Sequence, residues 1–254
     1  MLEILNSPNN ILGIEYIKSI LKLNSNIKPY TINRVNSGYN SLNINNSICS
    51  ASAIRNALKT DSLATINYTM PKPTYDLIND TVNSGVNLVY NDDFYQILSS
   101  IILRDKDNLT DYFEVNEGIE NKIYNSIFKC QNIEELQNEI KSKRYTMTKI
   151  SRTLNNIMLG IKRDDILKTK DLKEMPYVRV LAFNDKGCEI LKEIKKNSEI
   201  EVITKFSKIK HIDSDIFNTL INYDIKATNM YSLIYNKSLL KGPMDYITSP
   251  KYIK

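Results

Sequence analysis

Between Tyr75 and Ile161 the apolar residues recur at intervals of three and four, and that spacing commits this part of the chain to helix. Asp92–Arg104 puts Phe94, Ile97, Leu98 and Ile101 on one face, and Glu117–Cys130 does the same with Ile119, Ile123 and Ile127. Ile133–Lys141 and Thr146–Ile161 continue the pattern. Each stripe must be buried against a neighbour. The connections are short, so successive helices run antiparallel and the segment predicts a helical bundle.

After Pro176 the period changes. Tyr177–Ala182 and Glu201–Thr204 read as strands flanking a helix at Lys186–Lys196, a small α/β unit beside the bundle. A helix follows from about Asp213 to Tyr235, and the tail beyond Gly242-Pro243 is expected to be loosely held. Ahead of the bundle, residues 10–23 predict a helix with Ile11, Ile14, Ile17 and Leu21 on one face, capped by Asn9 or Asn10. Lys28–Val35 reads as a short strand, Asn36–Ser47 as a polar loop, Ala51–Lys59 as helix and Met70–Pro73 as a breaker.

Ser50 is a good N-cap for the helix that follows it. The free N–H groups and partial positive charge of such a helix start make a natural phosphate seat. Ser52 and Arg55 would add a hydroxyl and a charge-assisted donor there. Taken alone, the same residues describe an ordinary capped helix with a surface arginine. Asn9 offers both donor and acceptor to an adenosine, or simply a cap.

The charge is unevenly distributed. The chain carries a net +5 with a pI near 8.8, which permits an anionic partner without demanding one. Thr74–Asn121 holds ten acidic residues against Arg104 and Lys106, whereas Lys141–Arg163 holds seven basic residues and no acidic one. A stretch so basic suits RNA phosphates, or it is balanced in space by the acidic stretch. His211 stands without a partner visible in sequence and reads as structural or exposed. Cys49, Cys130 and Cys188 are isolated, with no metal or disulfide spacing, which suits a reducing compartment. With no signal peptide and no apolar run of membrane length, a cytoplasmic protein is expected.

Pro8-Asn9-Asn10-Ile11-Leu12-Gly13, Lys28-Pro29-Tyr30, Arg34 and Ser50-Ala51-Ser52-Ala53-Ile54-Arg55 occur in an order and spacing that resemble the tRNA(Met) cytidine acetate ligases, a branch of the HxGH nucleotidylyltransferases. Lys143-Arg144-Tyr145-Thr146, Tyr177–Leu181, and Asp224–Ala227 followed by Tyr231 resemble the same family more loosely. The resemblance implies an ATP-dependent ligase that activates acetate as acetyl-adenylate. The acetyl group then passes to N4 of the wobble cytidine in elongator tRNA(Met). It implies ATP contacts from Asn9, Arg34, the Val35 backbone, Ser50, Ser52 and Arg55, with Mg2+ as a companion of ATP. Lys141, Lys143, Arg144, Lys149, Arg152 and Arg179 would meet tRNA, with Tyr145 offering a stacking face.

The family's N-terminal His-x-Gly-His has no counterpart here, since His211 is the single histidine. On this reading the N-terminal half is missing, Met1 is an internal start, a gene-model artefact or an engineered boundary, and the chain alone is inactive. The expected fold is an α/β remnant of a Rossmann-like nucleotidyltransferase domain at residues 1–62. A mainly helical tRNA-binding domain with a small α/β element follows at 63–254. The alternatives are a non-catalytic RNA-binding module or half of a split enzyme, and an HxGH nucleotidylyltransferase with another acceptor.

Overall fold

The computed structural model describes residues 8–32, 44, 47–60, 63–170, 172, 174–209, 214–235 and 242–253. Arg34, Val35, His211 and most of the loop Asn36–Ser47 lie outside them. The chain divides into two compact units, Met1–Asp80 and Thr81–Lys254.

In the first unit, α1 spans Pro8–Lys22 and α2 spans Ala51–Thr60. A 3-10 helix at Leu63–Thr69 leads to α3, Lys72–Asn83, which runs across the division. Proline suits the first helical position, where its missing N–H is no loss. Asn9 therefore lies inside the first turn of α1 rather than ahead of it as a cap. The stripe of α1 forms, but the described residues leave it open: Ile11, Ile17 and Leu21 are 48%, 45% and 70% exposed. Small residues on the inner face of α2, Ala53 and Ala57, are buried, as is Ile66 of the 3-10 helix packed on it.

The strand expected at Lys28–Val35 does not form over its described part, Lys28–Ile32. Tyr30 and Ile32 are 85% and 96% exposed, and among the described residues no neighbouring strand offers this segment a ladder. Among the described residues of 1–62 there is helix but no strand.

The second unit holds the bundle: α4 (Tyr95–Arg104), α5 (Ile119–Ser126), α6 (Ile133–Ile140) and α7 (Met147–Leu159). Its centre is Ile102, Ile119, Ile123, Leu136, Ile140, Ile150 and Ile157, none of them measurably exposed. Each such side chain contributes about 1.5–3 kcal/mol on burial. Local chemistry sets the boundaries. Thr146 caps α7 by accepting from the Lys149 amide at 3.3 Å, and Gly160, at φ +71°, ends it. Asn132 caps α6 through the Glu135 amide at 2.8 Å.

The inward face of α4 is turned by about one residue from that predicted. Leu98 and Ile102 are innermost, not Phe94 and Ile97. Residues Asn91–Phe94 form a 3-10 turn, whose tighter winding shifts the phase.

Beyond the bundle lies α8 (Arg163–Thr169). The predicted strand Tyr177–Ala182 is two strands, β1 (Tyr177–Arg179) and β2 (Ala182–Phe183). After α9 (Asp185–Asn197), β3 (Glu201–Ile203) pairs parallel to β1, with Arg179 opposite Ile203. The long α10 (Asp215–Tyr235) packs on α7 and α8. Hydrogen bonds from Tyr223 Oη to Asp165 at 2.5 Å and from Tyr177 Oη to Asp224 at 2.8 Å secure it. A second small core gathers Ile203, Phe206, Phe217 and Ile221.

The tail is not loose over its described part. Its short helix α11 (Met244–Ile247) buries Asp245, and β4 (Lys251–Tyr252) pairs parallel to β2. Ladder hydrogen bonds and a buried carboxylate hold it where composition alone suggests fraying.

Candidate functional site

The start of α2 is assembled as its sequence suggests. Ser50 is buried, and its Oγ accepts from the Ala53 amide at 3.0 Å. With Ala53 and Ala57 facing inward, Ser52 and Arg55 share the outer face, three residues apart. Arg55 Nη2 donates to Ser52 Oγ at 3.4 Å. A hydroxyl and an exposed guanidinium thus stand together one turn into a helix, an arrangement suited to an anion. Asn9 is exposed in the first turn of α1, and Arg34 and Val35 lie outside the described residues.

The basic stretch folds against the loop from Tyr112 to Gly118. Arg152 Nε reaches both Glu114 oxygens at 3.0 and 3.2 Å, and its Nη2 donates to one at 3.0 Å. This bond pushes the Arg152 pKa above its ordinary value. Glu117 takes Arg144 at 3.5 Å and Lys149 at 3.6 Å, while Lys149 also donates to Asn116 Oδ1 at 3.2 Å. Tyr145 is buried and donates to the Glu117 carbonyl at 2.6 Å, so its ring is not a free stacking face. Arg144 and Lys149 flank that ring, at 5.7 and 5.6 Å from its centre. Lys141 and Lys143 are exposed on the preceding turn.

Both glutamates that receive this charge lie in the left-handed backbone region, Glu114 at φ +64° and Glu117 at φ +62°. For a side chain larger than glycine that conformation costs about 1–2 kcal/mol. The loop is held in it from several sides. The Phe113 amide donates to the Ile161 carbonyl at 2.9 Å, and Asn156 Nδ2 and Arg163 Nη2 donate to the Phe113 and Val115 carbonyls at 2.9 and 3.1 Å. Arg179 is placed differently from the other basic candidates. It forms a short hydrogen-bonded ion pair with buried Asp245 and lies over the Phe206 ring at 4.7 Å.

Glu114 and Glu117 belong to the acidic stretch Thr74–Asn121 that one sequence reading set against these cations, but which of its ten acidic residues would serve was not legible, because neither lies at helical spacing from the cations it binds. The turn signal Glu117-Gly118 was the available clue. No group of three or more His, Cys, Asp or Glu converges among the described residues, so they offer no metal cage. No helix among them is long and apolar enough to cross a membrane.

These features fall within a known group. The sequence profile described as HIGH Nucleotidyl Transferase matches residues 1–243, and the chain belongs to that family. It is 46% identical over 246 residues to a tRNA(Met) cytidine acetate ligase of Clostridium acetobutylicum, covering 96% of this chain and 57% of the relative. A Clostridium perfringens protein of the same name is 42% identical over 249 residues, covering 98% and 58%. Among solved structures, apo Thermotoga maritima TmcAL superposes with a TM-score of 0.87 at 27% identity, over 98% of this chain and 61% of that one. The same protein bound with alpha-thio ATP gives 0.82 at 26% identity, over 98% and 60%. The chain therefore spans about three fifths of the length of the relatives it matches.

Proposed function

We propose that this chain supplies the second wall of the ATP site and the tRNA-binding surface of a tRNA(Met) cytidine acetate ligase. The observation that carries the reading is the 46% identity to the Clostridium acetobutylicum ligase across 96% of the chain. The superposition on a relative holding an ATP analogue supports the nucleotide half of it.

On this reading Ser52 and Arg55, at the start of α2, meet ATP phosphates together with the α2 amides, and Ser50 holds that helix start in shape. Asn9, Arg34 and the Val35 backbone contact the nucleoside. Donors around the phosphates stabilise the charge that develops when acetate displaces pyrophosphate to give acetyl-adenylate. N4 of the wobble cytidine in elongator tRNA(Met) then attacks the acetyl carbonyl, and AMP leaves. The exposed cations Lys141, Lys143, Arg144, Lys149 and Arg152 hold the tRNA backbone, which positions the strand without reading its sequence. Arg179, paired with buried Asp245 and 28% exposed at its side chain, joins them from the small α/β unit. Among the described residues no group of three or more His, Cys, Asp or Glu converges to hold Mg2+, which would come with ATP.

A second reading is favoured by the absence of His-x-Gly-His from these 254 residues. Activation is then work for another polypeptide segment, and this chain is an RNA-binding module or half of a split enzyme. The ligase reading, whole or split, and the RNA-binding module separate in one assay with elongator tRNA(Met), ATP and labelled acetate. The chain alone is expected to release no AMP. Joined behind the N-terminal His-x-Gly-His segment that the family resemblance implies, it should yield labelled N4-acetylcytidine. A folded, ATP-binding chimera that leaves the tRNA unlabelled would contradict the ligase reading and leave the RNA-binding module.

A further inference from the structure

A cavity of about 540 Å³ lies within the second unit, bordered by α4, the end of α7 and α10. Its size falls within the about 300–1,000 Å³ of pockets that enclose small molecules. Ile101 of α4, Met158 and Leu159 of α7, and Met230 and Leu233 of α10 make its walls apolar. Two of these are methionines, whose flexible thioethers adapt to ligands of varied shape. Two cations, Arg104 and Lys226, also line it, and among the described residues no acidic side chain does. The two cations differ in how their charge is met. Arg104 donates from Nε and Nη2 to the two Asp105 oxygens, each at 2.7 Å. Lys226 makes no ion pair among the described residues, and its ammonium lies 5.1 Å from the centre of the Tyr223 ring. A Cβ at Gly160 would stand 3.8 Å from Lys226 Nζ, which puts that charge beside the end of α7. The cavity thus joins an apolar body to one uncompensated positive charge.

We propose that this cavity binds an apolar chain ended by one anion, an unbranched carboxylate of the fatty-acid type. The apolar walls take the chain, and each methylene removed from water adds about fourfold in affinity. Lys226 takes the carboxylate, whose single charge balances its ammonium. Walls of this kind hold water poorly and favour an apolar occupant. A nucleotide suits them badly, because its several phosphate charges would meet one free cation and its polar base would lie against groups that cannot bond it. None of the lining residues is among those assigned above to ATP or tRNA, and no chemical step is assigned to the cavity.

The test follows the methionine methyl signals of the whole chain by NMR during titration with hexanoate, octanoate and decanoate, each kept below the concentration at which it forms micelles. Met158 and Met230 should shift together and saturate, while Met175, 68% exposed and outside the lining, should stay put. The dissociation constant should fall about fourfold for each added methylene until the cavity is full. Lys226→Met keeps an apolar stem and drops the charge. It should weaken octanoate roughly fivefold and leave octanol unchanged. The wild-type series stands even where that variant alters the fold. No saturable shift at Met158 and Met230 would overturn the site, as would an equal shift of Met175, which marks adsorption over the surface. If Lys226 only complements the carbonyl end of α7, Lys226→Met lowers the melting temperature and changes octanoate and octanol binding alike, which would overturn the carboxylate assignment.

Discussion

Arg152 and Glu114 form a forked ion pair between the exposed face of α7 and a loop residue held at φ +64°. The cation most central to the basic stretch is thus met by a carboxylate in a costly backbone conformation. A carboxylate and a phosphate oxygen make the same charge-assisted contacts with a guanidinium. Glu114 therefore occupies the position an RNA phosphate would take on Arg152, and Glu117 does the same for Arg144 and Lys149.

Removing those carboxylate charges should free the cations. The double variant Glu114→Gln, Glu117→Gln is expected to bind tRNA more tightly than the parent, with a salt slope steeper by roughly one log unit per freed cation. Titrating labelled tRNA at several salt concentrations measures both. Unchanged affinity and slope would mean that these cations do not meet RNA.

Arg55→Ala should weaken nucleotide binding in a protein that also carries the His-x-Gly-His segment. A hydrogen bond to a charged group is worth roughly 1.5–3 kcal/mol, so ATP affinity should fall about 10- to 150-fold. Arg55 is exposed and its hydrogen bond to Ser52 is a long one, so the melting temperature should stay put. Full ATP affinity in the variant would leave Arg55 a surface residue.

The bundle and the start of α2 could be read from the sequence because their determinants are local. Ile119, Ile123 and Ile127 line up within one helix, Thr146 and Gly160 bracket α7, and Ser50 caps its own helix. The features the sequence hid depend on residues far apart in the chain. β2 is separated from β1 because its partner is β4, near the end of the chain. Arg179 turns inward because Asp245 waits there, and Arg152 and Lys149 meet glutamates on a loop that no helical spacing predicts. At Lys28–Ile32 the alternation is present, but no strand pairs with it among the described residues.

Asp105 should make the bundle acid-sensitive. The Arg104 guanidinium, then the Tyr112 hydroxyl, bond its carboxyl and hold it from an ordinary 3.8 down to about 2. Burial first, then Asp105, pushes Tyr112 up to about 12. A carboxyl depressed in the folded state stabilises the fold above its unfolded pKa, and that contribution is lost as pH falls from about 4 toward 2. Asp105→Asn should therefore lower the melting temperature at pH 7, with the gap to the parent closing over that window. A gap that stays constant down to pH 2 would rule out the charge as its source.

The most direct measurement takes Lys143, Arg144 and Arg152 to alanine together and follows both tRNA affinity and melting temperature on the same protein. Exposed ion pairs such as Arg152–Glu114 and Arg144–Glu117, with the arginines 57% and 62% exposed, contribute about 0–1 kcal/mol each, so the fold should scarcely notice. Contacts to RNA phosphates are the ones that matter on the proposed reading. Binding of elongator tRNA(Met) should weaken markedly, and its salt slope should flatten by roughly one log unit for each phosphate that goes unneutralised. A triple variant that melts early yet keeps its parent's tRNA affinity and salt slope would show that these charges serve the fold alone, and would contradict the tRNA-binding role.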